Sequence, residues 1–328
     1  MDSITKRRLG EATIDELARR SLGAGVTGVE ELSGGTFNAV YGVTLADGRR
    51  SVLKVAPPPE LELLTYEADL IHAEALFYRS AAGAGVPVPE VYAADLSRTL
   101  ISSEYVFVEW LPGGRLADLA ADLTPDTDAG IRRELGRIAA RLHTVRGPAF
   151  GYLRRDGRTR SPRWRISFLA MVDDILADAR RLGVDLGVPA DRVAASVHRH
   201  AAVLDEVDRP VLVHFDLWDG NVLIQPDLGV AGLIDGERAF YGDPYAEFVS
   251  LALLRDVAEL PDLIDGYAAW AGHPVRLDGA VRTRLTLYTA YLYLLMLTEG
   301  PTRGYAGEGY DAFLADLRGR LDGLLSAL

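Results

Sequence analysis

Cysteine is absent from this sequence of 328 residues, and lysine is almost absent. Without cysteine the chain can form neither disulfides nor thiolate metal sites. Lys6 and Lys54 are the only lysines among 35 basic residues, so nearly every cation of the chain is an arginine. Lys54 lies inside a strand-like segment, Ser51-Val-Leu-Lys-Val-Ala56, and therefore stands out as a candidate functional residue.

Long apolar segments are also missing. No apolar run reaches the roughly 20 residues of a membrane-spanning helix, and the first residues, MDSITKRRLGEATIDEL, lack the apolar region of a secretory signal. We therefore expect a cytoplasmic protein with no membrane partner. The net charge of −12 disfavours a nucleic-acid partner, because phosphate binding needs a basic surface, and it suits a cationic ligand.

The order of predicted elements divides the chain into two parts. The length fits roughly two domains of about 150 residues each. The first third opens with a helix predicted from the capping box Thr13-Ile-Asp-Glu16 to near Gly23, and strand-like segments with one internal helix over 67–82 follow. After the Pro112-Gly113-Gly114 break the pattern becomes mainly helical, with a β island over 211–234. We predict an amino-terminal part over residues 1–109 and a carboxy-terminal part over residues 110–328. The predicted helices of the second part cover 126–145, 164–182, 191–207, 245–270 and 281–298.

The segment VHFDLWDGNVLI, residues 213–224, places polar groups in an otherwise apolar stretch. Asp216 precedes Asn221 by five residues, which is the interval of the kinase catalytic loop H-R-D-x-x-x-x-N. A short turn with this spacing lets Asp216 face a hydroxyl while Asn221 turns toward a metal ion. The alternative is a plain hairpin, since Asp-Gly and Gly-Asn are common turn sequences.

A second apolar strand follows and ends at Asp235. A carboxylate at a strand end suits Mg²⁺, which prefers oxygen ligands and usually bridges to phosphates. We therefore predict Asp216 as the catalytic carboxylate and Asn221 and Asp235 as the metal ligands. Among the other polar residues, we expect His214 to brace the loop, Asp243 to cap a helix, and Glu299 to lie on a solvated surface, with a cationic substrate as its alternative partner.

These segments resemble the aminoglycoside phosphotransferase family within the protein-kinase-like superfamily. The resemblance rests on LVHFDLWDGNVLI, GLIDGERAFYGDP, LGRIAARLH (residues 135–143) and AGVPVP (residues 84–89), and covers about residues 32–248. It implies an α+β, bilobal fold with a small β-rich N-lobe that contains one key helix and a larger, mainly helical C-lobe.

The resemblance also implies a nucleotide site. Lys54 resembles the third-strand lysine that binds nucleotide phosphates, and Glu74 resembles its helix partner, with Glu67 as a rival. The alternatives are an edge-strand lysine and a surface glutamate. Main-chain groups of Glu109 and Leu111 would bind the adenine edge. The turn that covers the nucleotide would consist of Ser33, Gly34, Gly35 and Thr36.

Two residues depart from the family pattern. Phe215 stands where the family usually has glycine, which would change the packing of the loop. Gly236 follows Asp235 where the family often has a bulky residue, which would loosen the metal carboxylate, and Glu237 is then a candidate for a second, weaker metal contact. Neither change removes a functional carboxylate.

The function implied by the resemblance is transfer of the γ-phosphoryl group of ATP (or GTP), with Mg²⁺, to a hydroxyl of a small, amine-bearing molecule. An aminoglycoside or another cationic antibiotic would be such an acceptor, and the protein would then confer antibiotic resistance. One alternative is a metabolic kinase for a fructosamine, amino sugar or amino alcohol, because DLWDGN also resembles the fructosamine-kinase loop. Another is a nucleotide-binding pseudokinase. We expect a monomer or a homodimer in each case.

Overall fold

The computed structural model describes residues 3–32, 35 and 37–328. It is a mixed α+β fold, as predicted, with most strand residues in the first third of the chain and most helices after residue 115. The strands are β1 (Val26–Glu31), β2 (Ala39–Leu45), β3 (Arg50–Val55), β4 (Val91–Asp95), β5 (Tyr105–Glu109), β6 (Gly114–Arg115), β7 (Gly151–Tyr152), β8 (Val211–Val213), β9 (Val222–Ile224), β10 (Val230–Leu233) and β11 (Phe240–Gly242). The helices are α1 (Glu11–Leu22), α2 (Leu70–Gly83), α3 (Leu116–Leu119), α4 (Pro125–Leu142), α5 (Trp164–Arg181), α6 (Ala190–His200), α7 (Tyr245–Leu251), α8 (Pro261–Ala271), α9 (Gly279–Arg303) and α10 (Glu308–Ala327).

The first five strands form an antiparallel sheet in the order β1-β2-β3-β5-β4. β3 and β5 are rich in β-branched and aromatic residues, which favour strands, and both are mostly buried. Lys54 is the penultimate residue of β3, opposite Val40 on β2 and Val106 on β5. It is therefore on a central strand and not on an edge, which excludes the role of an edge-blocking lysine.

The two faces of this sheet are covered differently. Ile14 and Leu17 of α1 pack on one face, in a separate small core with Tyr41 and Phe107. On the other face, α2 packs against β4, β5 and the turn Gly236–Arg238. The buried side chains of α2 belong to the main core, which continues into the helical part of the chain. Helix α2 is thus the element that connects the sheet to the polar segment around Asp235.

In the helical part, α4 and α8 lie in close contact because each presents a glycine to the other. A Cβ at Gly136 would lie 2.1 Å from the carbonyl oxygen of Leu263, and a Cβ at Gly266 would lie 2.0 Å from that of Arg133. Such approach distances are too short for any side chain. Helix α9 packs on α7, α5 and α10 and forms the centre of this part of the molecule.

Two small sheets contribute the strands next to the His214–Asn221 loop and to Asp235. One has the order β10-β9-β6 and the other β7-β11-β8. Strand β8 ends immediately before His214, while β9 begins immediately after Asn221 and pairs with β10, which leads to Asp235.

Within the described ranges, no helix combines the length and apolar character needed to cross a membrane. The boundary between residues 1–109 and 110–328 as two lobes stays a prediction.

Candidate active site

Lys54 is buried and forms ion pairs with two carboxylates from different parts of the chain. Its Nζ donates to Oε1 of Glu74 at 2.5 Å and also to Oδ1 of Asp235. Burial alone would lower the pKa of Lys54, but the carboxylates of Asp235 and Glu74 outweigh it and raise that pKa well above its ordinary value. The side chain therefore stays charged, ready to hold an anionic ligand.

Glu74 is fully buried on α2 and is the glutamate that the structure places beside Lys54. Its rival Glu67 instead pairs with Arg303 at 3.0 Å. One helical turn after Glu74, the Tyr78 hydroxyl donates to the same Glu74 Oε1 at 2.6 Å and accepts the backbone N–H of Asp235 at 3.0 Å. Tyr78 thus links the partner of the lysine to the segment that carries Asp235.

The loop from His214 to Asn221 is held by buried hydrogen bonds. The carboxylate of Glu247 accepts the N–H groups of His214 at 2.7 Å and Phe215 at 3.0 Å. His214 Nε2 lies 2.9 Å from the carbonyl oxygen of Ile234, and its Nδ1 accepts the N–H of Asp216 at 3.2 Å. His214 therefore braces the loop against β10, as expected.

Phe215 adopts a backbone conformation that normally favours glycine. Its φ of 62° lies in the left-handed region, which costs an ordinary residue about 1–2 kcal/mol. The ring is fully buried, with its centroid 5.0 Å from that of Phe240 and 5.7 Å from that of Tyr291. Aromatic packing thus offsets the strain where the family usually has glycine.

The carboxylate of Asp216 has one amide and one guanidinium neighbour. Asn221 Nδ2 donates to the Asp216 carbonyl oxygen at 2.8 Å and to Oδ2 at 3.2 Å, while Arg238 Nη1 lies 3.3 Å from Oδ1. Burial raises the pKa of Asp216, and the positive charge of Arg238 offsets part of that effect. Because the Asn221 nitrogen is engaged, its oxygen is the amide atom left to bind a cation.

Asp235 lies at the end of the segment after β10, with φ at 60°, and about 37% of its side chain is exposed. Burial opposes its ionisation, but the Lys54 ammonium outweighs this and lowers the pKa of Asp235. The following Gly236 does not leave open space beside Asp235. A Cβ there would lie 2.2 Å from the Phe77 ring, so the buried aromatic side chain of α2 fills the space that a bulky residue would occupy.

Glu237 points toward the amino-terminal sheet, where Asn38 Nδ2 donates to its Oε2 at 2.7 Å. Burial and the neighbouring Glu74 carboxylate raise the pKa of Glu237 to about 8. In the part of the chain that is described, no three acidic or histidine side chains converge as a metal cage. The oxygens of Asp235 and Asn221 still suit Mg²⁺, which commonly takes one or two protein ligands together with phosphates and water.

Some of these residues line a crevice of about 560 Å³ between the sheet and the helical part. Lys54, Asn221 and Asp235 lie along it together with Glu109 and Leu111. The N–H of Glu109 donates to the carbonyl oxygen of Glu90 at 2.8 Å, so the main-chain candidates for a base contact are its carbonyl and the groups of Leu111. Other lining residues are Gly35, Val40, Val52, Trp110, Trp218 and Leu223. Of the predicted nucleotide-covering turn, Ser33, Gly34 and Thr36 lie outside the described residues.

Sequence reasoning missed several polar residues around this crevice. Arg238 follows Asp235 by three residues, which is a signal that could have been used, but nothing local marks Tyr78 or Asn38. The expectation for Glu299 was wrong. This residue is buried on α9 between Arg238 at 2.6 Å and Arg303 at 3.0 Å, and not on a solvated surface.

Comparison with known proteins adds to this geometry. The model of the phosphotransferase enzyme family, APH, matches residues 28–285. Among curated proteins, mouse acyl-CoA dehydrogenase family member 10 is 26% identical over 249 residues, which cover 71% of this chain and 21% of that protein. The chain thus spans about a fifth of the length of this curated relative.

Solved structures share the fold over almost the whole chain. A proposed fructosamine-3-kinase from Thermobifida fusca YX-ER1 superposes with a TM-score of 0.67 at 23% identity, covering 97% of this chain and 100% of the other. A thermostable mutant of the aminoglycoside phosphotransferase APH(4)-Ia, in a ternary complex with AMP-PNP and hygromycin B, gives a TM-score of 0.66 at 20% identity and covers 96% and 98%. A macrolide 2′-phosphotransferase type I gives 0.59 at 20% identity, covering 94% and 96%. With its kinase-like fold and a family model matched over most of its length, the chain belongs to the APH phosphotransferase enzyme family.

Proposed function

We propose that this protein transfers the γ-phosphoryl group of ATP, with Mg²⁺, to a hydroxyl of a small, amine-bearing molecule. The observation that carries the proposal is the convergence of Lys54, Asn221 and Asp235 on one crevice, with Asp216 hydrogen-bonded to Asn221. A plain hairpin with polar turns would not need a buried lysine from a distant strand at its tip. In this proposal residues 1–109 and 110–328 act as the two lobes on either side of the nucleotide.

The chain would hold the nucleotide at both ends. Lys54, held by Glu74, would bind the α- and β-phosphates, while the main chain of Glu109 and Leu111 would contact the base. Asp235 and the amide oxygen of Asn221 would hold Mg²⁺. The bound cation would neutralise negative charge on the β- and γ-phosphates during transfer. Since ATP and Mg²⁺ are cytoplasmic solutes, the proposal includes a cytoplasmic location.

Asp216 would orient the acceptor hydroxyl and take its proton as the new P–O bond forms. A carboxylate within hydrogen-bond reach is the group suited to this task, and the raised pKa of Asp216 makes it a better proton acceptor than an ordinary aspartate. Most of the rate enhancement would come from positioning and electrostatics, because phosphoryl transfer needs little covalent help from the protein.

Two acceptor classes have support. The net charge of −12 favours a cationic acceptor such as an aminoglycoside, and one similar structure contains hygromycin B. A fructosamine, amino sugar or amino alcohol is the second candidate, supported by Trp218 in the DLWDGN segment and by the similarity to a proposed fructosamine-3-kinase. A pseudokinase would bind ATP and Mg²⁺ without transfer to any acceptor.

The test is a coupled ADP-release screen over a panel of amino-hydroxyl compounds that includes aminoglycosides and fructosamines. The D216N variant should bind nucleotide normally but lose about 10²–10⁴-fold in kcat on the best acceptor. The ratio of kcat/KM values then separates the two acceptor classes. Turnover by D216N at the native rate would contradict the role given to Asp216, and binding of ATP with no turnover on the whole panel would favour the pseudokinase.

A further inference from the structure

A row of ion-paired, buried side chains begins at Asp216 and continues through residues that do not line the crevice. Arg238 is shared between two carboxylates. Its Nη1 lies 3.3 Å from Oδ1 of Asp216, and its Nη2 donates to Oε1 of Glu299 at 2.6 Å. The guanidinium is therefore held more closely by Glu299, on α9, than by the carboxylate of Asp216.

Glu299 has two further partners besides Arg238. The Tyr66 hydroxyl donates to its Oε1 at 2.6 Å, and Arg303 Nη1 pairs with its Oε2 at 3.0 Å. The side chains of Arg238, Glu299 and Arg303 are exposed by 10% or less, so their charges are poorly screened by solvent. Glu299 thus presents a firmly placed negative charge to Arg238.

The position of the Glu299 carboxylate matters because Arg238 would otherwise pair more closely with Asp216. An arginine with a single carboxylate nearby tends to pair with it through two parallel hydrogen bonds. Such a pair would occupy the oxygen lone pairs with which Asp216 must receive the acceptor hydroxyl. Glu299 offers the guanidinium a better partner on the side away from the crevice.

We infer that Glu299 is a positioning residue: it holds Arg238 back from Asp216, so that the Asp216 carboxylate stays open to the acceptor. The inference rests on the proposed transfer to a hydroxyl. It assigns a role in turnover to a residue that touches neither the nucleotide crevice nor Asp216 itself.

Glu67 provides a matched control. It is as deeply buried as Glu299 and pairs with Arg303 at 3.0 Å, while its Oε2 accepts the N–H of Leu64 at 2.8 Å. It belongs to the same row of charges but contacts neither Arg238 nor Asp216. Loss of its charge should therefore disturb the fold about as much as loss of Glu299, without releasing Arg238.

The experiment compares the E299Q, E67Q and E299D variants in kcat, in KM for ATP and for the acceptor, and in Tm. We expect E299Q to lose at least tenfold in kcat with the KM for ATP within twofold of the native value. E67Q should show a similar fall in Tm with kcat within about twofold. E299D keeps the charge but moves it away from Arg238, and should fall between wild type and E299Q in kcat. If E299Q does not fold, the comparison of E299D with E67Q carries the test.

Equal losses of kcat in E299Q and E67Q, or native kcat in folded E299Q, would overturn the inference. Crystal structures supply a measurement that needs no turnover: the distance between Arg238 Nη1 and Asp216 Oδ1 should fall below 3 Å in E299Q and stay near 3.3 Å in the wild type. An unchanged distance would also overturn the inference. Absence of wild-type turnover on every acceptor would instead contradict the proposed function, while the crystallographic comparison would still decide the position of Arg238.

Discussion

Tyr78 contributes one hydroxyl that joins α2 to the segment that carries Asp235, since it donates to Glu74 and accepts the N–H of Asp235. We expect Y78F to weaken nucleotide binding, because the carboxylate of Asp235 and the Lys54–Glu74 pair lose their common support. The KM for ATP should rise several-fold, with a loss of about 1–2 kcal/mol in the free energy of unfolding. Steady-state kinetics and urea unfolding would measure both.

Y105F is the control for this prediction. Tyr105 is equally buried, and its hydroxyl lies 3.0 Å from Ser21 Oγ, in the small core on the far side of the sheet. Its removal should cost similar stability and leave the KM for ATP unchanged. The same rise in KM in both variants would mean that Tyr78 acts only through general stability.

Phe215 gives a second prediction for a single residue. Alanine variants are usually more stable than glycine variants, and here we expect the reverse. Both F215A and F215G lose the buried ring, at a cost of about 3–5 kcal/mol. Alanine would keep the strain of the positive φ, while glycine relieves it. We therefore expect F215G to be more stable than F215A by about 1 kcal/mol in chemical unfolding. A more stable F215A would show that the loop changes its backbone conformation when the ring is lost.

The sequence indicated the candidate site residues that follow local rules of spacing, and missed those that depend on distant contacts. Asp216, Asn221 and Asp235 belong to short segments with recognisable patterns, and the structure brings them together. Glu299 is paired with an arginine 61 residues earlier in the chain, and no periodicity within α9 reveals such a partner. For the same reason the sequence pattern does not distinguish Tyr78 from an ordinary core residue of a helix, because its partner Asp235 lies 157 residues later in the chain.

At the scale of elements, helices were predicted better in their cores than at their ends. The single helix predicted over 245–270 is two helices, α7 and α8. Between them Leu254 has a φ of 64°, and Pro261 begins the second helix. Helix α1 starts at Glu11 after Gly10, and not at a capping box that begins at Thr13. Helix α10 was not predicted at all.

The contact between α4 and α8 can be tested with one pair of substitutions on the same helix. G136A would place a methyl group against the backbone of α8, with the Leu263 oxygen 2.1 Å away, so the helices must separate. A Cβ at Gly130 has nothing within 4 Å. We expect G136A to lose several kcal/mol, since overpacking alone costs about 1–3 kcal/mol, and G130A to gain up to about 1 kcal/mol from helix propensity.

Thermal unfolding of the two variants gives the comparison. If G136A and G130A had equal Tm values, the close approach of α4 and α8 would be wrong. A fall in Tm without loss of nucleotide binding is expected for G136A, because the contact lies away from the crevice residues.

At the scale of the whole molecule, one buried carboxylate joins the helical core to the loop that carries Asp216. Glu247 of α7 has no exposed surface, and both of its oxygens accept loop N–H groups. His143, the residue after α4, has its Nε2 3.8 Å from Glu247, and Ser250 of α7 donates its hydroxyl to Glu247 Oε1 at 3.4 Å. Burial opposes its ionisation, but the hydrogen bonds and the positive charge of the nearby histidines when protonated outweigh this and lower the pKa of Glu247.

This shift sets the direction of a pH dependence. Because the pKa of Glu247 is lower in the folded than in the unfolded chain, its contribution to stability is complete above the unfolded value of about 4.3 and is lost as the pH falls through the folded value. The amide nitrogen introduced in E247Q would face a backbone N–H, so we expect this variant to lose about 2–4 kcal/mol at pH 7. Its deficit in Tm relative to wild type should shrink between pH 5 and pH 3. E259Q, which alters an exposed ion pair with Arg255, should change Tm little at any pH. A deficit of E247Q that stayed constant down to pH 3 would mean that the charge of Glu247 does not support the loop.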